Sequence, residues 1–306
     1  MSWYAGVEAG GTKFNCVVAS DPGNILAEIR IPTTTPQETL PKVVEFFNQV
    51  KSEHQIVLSS MGLGFFGPLC LDLNLPNYGY ITSTPKLAWR NTPIVPYIKQ
   101  HMDIPIAFDT DVAAAALGEG LWGNAKKCND YIYLTIGTGI GGGIISGGRP
   151  HHGMIHPEIG HMLIPHNIKQ DPFIGVCPSH QDCWEGLASG PAILMRWGIP
   201  AEALPIDHPA WQIESDYIGY AIANLVYSFS PQRIILGGGV MKTPGLIELV
   251  REKLVKFLNG YIQSDLIINK TDIFIQPPGL GDRAGVLGAI ALAKSLVDNK
   301  RKIFVK

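Results

Sequence analysis

Two cysteines, three histidines and two glutamates crowd into residues 158–185 of a chain in which only 16% of residues are charged. Cys177, His180 and Cys183 follow a C-x-x-H-x-x-C spacing. Pro178 and the polar residues in the gaps favour a tight loop over a helix, so three soft or borderline donors can converge on one point. A fourth donor from a distance completes the closed tetrahedral Cys2His2 set that zinc takes in structural sites. His161 is the preferred candidate, with His151, His152, His156 and His166 as substitutes. The competing reading is a set of unrelated core cysteines and surface histidines. Glu158 stands three residues before His161, and Glu185 two after Cys183. A metal here would fix both carboxylates in place, which suits a ligand rich in hydroxyls.

Three glycine turns lie at the ends of strand-like segments: Gly10-Gly11-Thr12-Lys13, Gly137-Thr138-Gly139 and Gly237-Gly238-Gly239. Glycine lets backbone N–H groups form a concave nest for phosphate oxygens where a side chain would block the approach. One such turn is most simply a tight hairpin. Three in a chain that also holds a two-carboxylate site shift the balance towards a nucleotide with a polyphosphate. Lys13 either meets a phosphate or is solvated. No G-x-x-x-x-G-K-[ST] pattern and no G-x-G-x-x-G opening a helix is present, which disfavours P-loop and dinucleotide-binding folds.

Apolar runs place the elements that must carry these turns. Strands are expected at 3–8, 14–19, 25–31, 56–63, 106–108, 131–136, 144–145, 233–236 and 273–276. Thr35-Pro36 opens an amphipathic helix to about Ser52. Further helices are expected at 94–101, 112–121, 191–197, 215–229, 244–259 and 284–296. Residues 64–86, rich in Gly, Pro and Asn, form a long irregular segment of the functional kind. The strand, glycine-plus-threonine turn and second strand near residue 10 recur near residue 138. Mixed strands and helices with glycine at strand ends point to α/β layers. The polar stretch 124–129 marks a boundary between an N-terminal lobe, 1–124, and a C-terminal lobe, 125–306, with the last helix a candidate to return to the first lobe.

With 306 residues and 46% hydrophobic content the chain can bury a substantial core. A net charge of −2 argues against nucleic-acid or anionic-membrane partners, which call for a basic face. Five cysteines, with Cys16, Cys70 and Cys128 scattered as free thiols, suit a reducing compartment. No apolar run of membrane-spanning length occurs, and Met1-Ser2 lead directly into a strand, so a cytoplasmic protein is expected. The apolar Ile303-Phe304-Val305 has two candidate docking places, the N-terminal lobe and a partner subunit.

The segments Glu8-Ala9-Gly10-Gly11-Thr12-Lys13, Asp109-Thr110-Asp111-Val112-Ala113, Gly137-Thr138-Gly139-Ile140-Gly141, Glu158-Ile159-Gly160-His161 and Cys177 to Glu185 occur in the order found in the ROK family of sugar kinases. The chain resembles that family over essentially its whole length. It looks most like the bacterial fructokinase branch, where the zinc loop has the mixed C-x-x-H-x-x-C form and Gly79-Tyr80-Ile81-Thr82-Ser83-Thr84-Pro85-Lys86 is typical. The resemblance implies an α/β, actin-like (ribonuclease H-like) two-lobed fold, with ATP in an interlobe cleft and Mg²⁺ on its phosphates. It also implies a structural Zn²⁺ on His161, Cys177, His180 and Cys183, a homodimer, and transfer of the γ-phosphoryl group to fructose. Asp111 takes the position of the family's catalytic acid, where a carboxylate can orient a sugar hydroxyl and accept its proton; its structural alternative is a helix N-cap. Thr110, Glu158 and Glu185 fall at sugar-binding positions, and the glycine turns at those that hold the phosphates and nucleotide. Glu8 stands where most members carry Asp. Thr110 and Lys86 stand where Asn is frequent, which leans away from glucose and towards fructose. The competing reading within the family is a sugar-sensing repressor, which would need a DNA-binding helix-turn-helix ahead of the first strand.

Overall fold

The structure, a computed structural model, describes residues 2–297. The docking place of Ile303-Phe304-Val305 lies outside the described residues. In chain order the elements are β1 (Trp3–Ala9), β2 (Lys13–Asp21), β3 (Asn24–Pro32), α1 (Pro36–His54), β4 (Leu58–Phe65), β5 (Tyr80–Ile81), β6 (Thr92–Pro93), α2 (Ile94–His101), β7 (Ile106–Thr110) and α3 (Asp111–Leu121). Then come β8 (Tyr131–Ile136), β9 (Ile140–Ser146), β10 (Arg149–Pro150), α4 (Trp184–Ala188), α5 (Gly190–Trp197) and α6 (Ala210–Phe229). The series ends with β11 (Arg233–Gly237), α7 (Leu246–Leu258), α8 (Asp265–Ile268), α9 (Thr271–Phe274), β12 (Ile275–Gln276) and α10 (Ala284–Ser295).

The chain packs as two compact units that are discontinuous in sequence. Among the described residues, the first holds 2–127, 143–157 and 282–297, and the second holds 128–142 and 158–281. This is not the single cut at 124/125 that the sequence suggests, because tertiary packing carries 143–157 and α10 into the first unit. The sheet of the first unit runs β3-β2-β1-β4-β7. Strand β1 is antiparallel to β2 and parallel to β4, and β4 is parallel to β7. The register sets Asn15, Glu8, Gly64 and Asp109 in one row across four strands. Phe14, Phe65, Trp89, Phe47 and Ile98 are fully buried in this unit's core. Helix α10 lies directly on the sheet: a Cβ on Gly62 would sit 1.9 Å from the Ala289 carbonyl oxygen. Its Gly288 meets Gly118 of α3 backbone to backbone. Small residues on all three elements permit that approach, which a helix with a wide apolar face could not make.

In the second unit β8, β11 and β12 are parallel, with Gly237 opposite Thr135. Strand β9 follows β8 through the Gly137-Thr138-Gly139 turn and leaves this unit at Gly142. Two elements differ from the sequence-based expectation. Of residues 273–276, expected in a strand, Ile273 and Phe274 close the helical turn Thr271–Phe274, with both N–H groups donating to the Lys270 carbonyl, so only Ile275–Gln276 pair as strand. Helix α6 begins at Ala210 rather than Ser215, because Pro209 suits the helix entry and Trp211 is buried with its indole N–H on the Pro205 carbonyl. Cys16, Cys70 and Cys128 are free, and burial pushes the Cys16 thiol well above its ordinary range, which keeps it inert. No helix among the described residues is long and apolar enough to cross a membrane.

Candidate functional site

The functional residues gather in two groups, one in each unit. In the first unit Asp111 opens α3 directly after β7. The cap of this helix is Thr110: its hydroxyl accepts the Ala113 N–H at 3.1 Å. The capping role that competes for Asp111 is therefore filled by its neighbour, and Asp111 is the first helical residue. Its Oδ1 accepts the Val112 N–H at 2.9 Å. Gly64 of β4 lets the start of this helix come close, since a Cβ there would lie 2.9 Å from the Ala114 Cβ. Burial pushes the Asp111 carboxyl up to about 6, with the charge of Glu8 acting in the same direction and backbone hydrogen bonds opposing. Burial also raises Glu8, against a 2.7 Å hydrogen bond from Asn15 Nδ2 and the charges of Lys13 and Arg30. The two acids, each partly buried, repel each other at the end of β1 and the start of α3, and a divalent cation held at Glu8 would offset that repulsion.

The first glycine turn joins β1 to β2. Gly10 N–H donates to the Lys13 carbonyl at 2.9 Å. The Thr33 hydroxyl holds the Gly10 carbonyl from the side at 2.9 Å, and Thr33 N–H holds that of Thr12 at 3.0 Å. Lys13 itself is exposed.

Beside Asp111 lies a pair that motif reading passes over. Asp109 is 1% exposed; its Oδ1 accepts the Thr110 N–H at 2.7 Å and faces His152 Nε2 at 3.1 Å, while Oδ2 is buried without a partner. Burial pulls the His152 imidazole down, but the hydrogen bond and charge of Asp109 outweigh it and leave His152 above its ordinary value. His156 is pulled below its ordinary value by burial, and its Nε2 accepts the Leu69 N–H at 2.9 Å. Stabilisation by protonated His152 is complete below the unfolded value of about 6.5 and is lost as pH rises through the elevated folded value. His152→Ala is therefore expected to destabilise the fold by about 1–3 kcal/mol at pH 6, by less at pH 9, with urea denaturation at the two pH values as the check.

In the second unit His161, Cys177, His180 and Cys183 bring one donor atom each to within 4.8 Å of one another. Sγ of Cys177 lies 3.7 Å from His161 Nδ1 and 3.6 Å from His180 Nδ1, and Sγ of Cys183 lies 3.5 Å from His161 Nδ1. A tetrahedral zinc with thiolate and imidazole bonds of ordinary length has S···N edges of about 3.6 Å. The donor set and its spacing therefore fit zinc. The sequence makes this locally: Cys177 N–H bonds the Gln181 carbonyl and Gln181 N–H the Cys177 carbonyl, closing the tight loop. His161 ends the short 3-10 turn Ile159–His161, at whose entry stands Glu158. The alternatives for the fourth donor are placed elsewhere: His152 and His156 in the first unit, and His166 on Asp182 Oδ2 and the Asp171 carbonyl.

Glu185 lies in the first turn of α4, entered from Cys183. Its Oε2 accepts the Ile140 N–H at 2.8 Å, and a Cβ on Gly139 would sit 2.7 Å from that oxygen. The second glycine turn is thus tied to one fixed acid, and Gly139 must be glycine for the two to meet. The third turn lies alongside the second: Gly238, at φ +99°, packs against the Ile136 backbone, and the Gly137 Cβ position is 3.7 Å from Gly239 N. Gly239 itself faces open space. Two glycine turns at the C-terminal ends of the parallel strands β8 and β11 form a backbone surface open to an anion.

A buried ionic cluster that pattern reading misses braces this group. Arg196 bonds Asp171 through Nε at 3.2 Å and Nη2 at 3.1 Å, donates to the Leu187 carbonyl, and lies 4.4 Å over Phe173. Tyr217 OH donates to Asp171 Oδ2 at 2.6 Å. Burial pushes the nearby Glu214 carboxyl well above its ordinary value, against the opposing charge of Arg196. Its residues are far apart in sequence, so no local spacing announces it.

The sequence pattern that defines the ROK family matches residues 4–296. The fructokinase of Zymomonas mobilis is 42% identical over 292 residues, 95% of this chain and 96% of that protein. That of Pediococcus pentosaceus is 41% identical over 293 residues, 96% of this chain and 98% of that protein. Among solved structures, the ROK hexokinase from Thermus thermophilus superposes with a TM-score of 0.78 at 26% identity, covering 97% of this chain and 99% of that one. A ROK family glucokinase from Streptomyces griseus, in complex with glucose and AMPPNP, gives 0.75 at 25% identity, covering 96% and 100%. The fold is the α/β, actin-like fold of the ROK sugar kinases. A pattern match across nearly the whole chain, identity above two-fifths to fructokinases over nearly all of their length, and a shared fold lead to one conclusion: this chain belongs to the ROK family.

Proposed function

We propose that this protein is an ATP-dependent fructokinase that transfers the γ-phosphoryl group of ATP to the 6-hydroxyl of D-fructose. The observation that carries this reading is the Asp111 carboxyl, held to about 6 by burial at the start of a helix, beside Glu8 and in the same unit as a glycine turn. A base with that value is ionised at neutral pH yet strong enough to take a proton from a sugar hydroxyl as the hydroxyl oxygen attacks phosphorus. Thr110, Glu158 and Glu185 orient the sugar through hydrogen bonds. Glu185, fixed to the Ile140 N–H, offers its carboxylate without reorganising. Gly10, Gly11, Thr12 and Lys13 meet the phosphates in the first unit, and Gly137, Thr138, Gly139, Gly237, Gly238 and Gly239 meet the nucleotide in the second. Glu8 would hold Mg²⁺ near the phosphates, where a bound cation supplies charge neutralisation, and Asp111 stays free to act as the base. Zn²⁺ on His161, Cys177, His180 and Cys183 is structural.

The relatives at 41–42% identity are named for fructose rather than glucose, which supports fructose as the acceptor over mannose, glucose or an N-acetylhexosamine. A homodimer in the cytoplasm completes the proposal, supported for the dimer by exposed Leu163, Ile174, Leu194 and Met195 in the second unit. Sedimentation of the purified chain at twice the monomer mass is the expected result.

The test is ADP release, coupled to NADH oxidation, with fructose, glucose and mannose in parallel. Fructose is expected to give the highest kcat/KM. A higher value with glucose or mannose would replace the acceptor and keep the reaction class. No ADP release with any sugar from folded, zinc-loaded protein would point to a sugar-binding protein without catalysis.

A further inference from the structure

Lys86 carries a charge that nothing among the described residues balances. It stands at the entry to the short 3-10 turn Leu87–Trp89, and its backbone is pinned on both sides. Its carbonyl accepts the Trp89 N–H at 2.8 Å, and Trp89 is buried with its indole N–H on the Thr34 carbonyl at 2.8 Å. Thr84, two residues before, is 1% exposed, and its carbonyl takes Arg90 Nε at 2.8 Å. From this fixed base the half-buried side chain reaches over the first glycine turn. A Cβ on Gly11 would sit 3.1 Å from Lys86 Cε and 3.4 Å from Nζ. The ammonium also lies 5.9 Å from the centroid of the Phe66 ring. Among the described residues no carboxylate pairs with it and no carbonyl accepts from it.

The turn below has donors in the same state. Gly10 N–H is spent on the Lys13 carbonyl, whereas the N–H groups of Gly11 and Thr12 make no hydrogen bond among the described residues. An unpaired ammonium above two unused backbone donors is a three-sided set of positive groups. A half-buried lysine left unpaired has lost part of its hydration with nothing in return, and an anion restores the balance. Gly11 has a second reason to be glycine: a side chain there would push the ammonium off the turn.

We propose that Lys86 binds the phosphoryl group that moves from nucleotide to sugar, contacting its oxygens together with the Gly11 and Thr12 N–H groups. This rests on the kinase reading and adds a residue to it. In phosphoryl transfer the protein works mainly by positioning and by matching charge on the equatorial oxygens, and a fixed ammonium does both. Lys86 takes no part in covalent chemistry. It discriminates between nucleotides that carry the terminal phosphoryl group and those that have lost it.

The test compares Lys86→Met, which keeps length and removes charge, with Lys86→Arg, which keeps charge. Calorimetry without sugar measures binding of ADP and of the non-hydrolysable ATP analogue AMPPNP in the presence of magnesium. For Lys86→Met, analogue affinity is expected to fall about tenfold, with ADP affinity unchanged within twofold. Its kcat is expected to fall about 10²–10³-fold, the scale of one lost transition-state donor, with KM for fructose within threefold of the wild type. Lys86→Arg is expected to recover most of both losses. Equal weakening of ADP and analogue, or unchanged kcat in Lys86→Met, would overturn the assignment. Should Lys86→Met not fold, Lys86→Gln takes its place with the same readouts. The binding comparison needs no turnover, so a wrong acceptor sugar or an absent kinase activity leaves it interpretable by itself.

Discussion

Asp111→Asn is expected to lower kcat about 10²–10⁴-fold, the range of a lost general base, while fructose binding stays within a few-fold. Asparagine is isosteric and can keep the hydrogen bond from the Val112 N–H, so the start of α3 is preserved. The same substitution is expected to stabilise the fold. Burial lifts the Asp111 carboxyl from 3.8 to about 6, so the unfolded chain ionises first as pH rises. Stability from this group is complete below the unfolded value and is lost as pH climbs to about 6. Above that the ionised carboxylate costs on the order of 3 kcal/mol, and Asn removes the cost. The variant and the parent converge below about pH 4. In the parent, kcat/KM is expected to fall below about pH 6 as the base takes up its proton. Denaturation at pH 5 and pH 8 beside a steady-state pH profile checks all three statements. Turnover in Asp111→Asn within tenfold of the parent would remove Asp111 from the role of base. A stability gain with full loss of turnover is the pattern of a site that stores strain for function.

Cys183→Ser is expected to give the largest loss of stability of any single change near the site. Cys183 is fully buried, its Sγ lies 3.5 Å from His161 Nδ1, and α4 with Glu185 starts at the next residue. Binding free energy at a structural zinc is folding free energy, of order 10 kcal/mol for zinc-finger peptides. Within a unit that has its own core, loss of one thiolate ligand is expected to cost several kcal/mol and to lower Tm by 10 °C or more, with nucleotide affinity changed by less than threefold. Elemental analysis should find one zinc per chain in the parent and much less in the variant. Prolonged chelation of the parent should reproduce the lowered Tm. A parent without tightly held zinc whose Tm is insensitive to Cys183→Ser would defeat the metal assignment. The predicted effect on sugar is indirect: Glu158 and Glu185 sit at the two ends of the donor set, so the loss should raise KM for fructose more than it lowers kcat.

Much of the site was legible because its chemistry is local. Cys177, His180 and Cys183 share one loop, so spacing marked these three donors, and His161, the preferred of several candidates for the fourth, is the histidine that tertiary packing brings to them. Glycine turns are likewise written into a few consecutive residues. The strands β1, β8 and β11 that carry them were readable as apolar runs between glycines. What spacing could not foretell is any contact that depends on two remote segments meeting. The Asp171–Arg196–Tyr217 cluster, the His152–Asp109 pair and the approach of Lys86 to Gly11 are of that kind.

The sequence by itself determined most of the elements and marked Cys177, His180 and Cys183 as one donor loop, because both follow from residue type and near-neighbour spacing, whereas the candidacy of Asp111 rested on resemblance to the ROK family. Only the tertiary structure decided which glycines are forced, how the units divide, and how strongly each ionisable group is perturbed. Burial and charge proximity set those quantities. Both arise when strands far apart in the chain lie side by side, as Glu8, Gly64 and Asp109 do in one row of the first sheet.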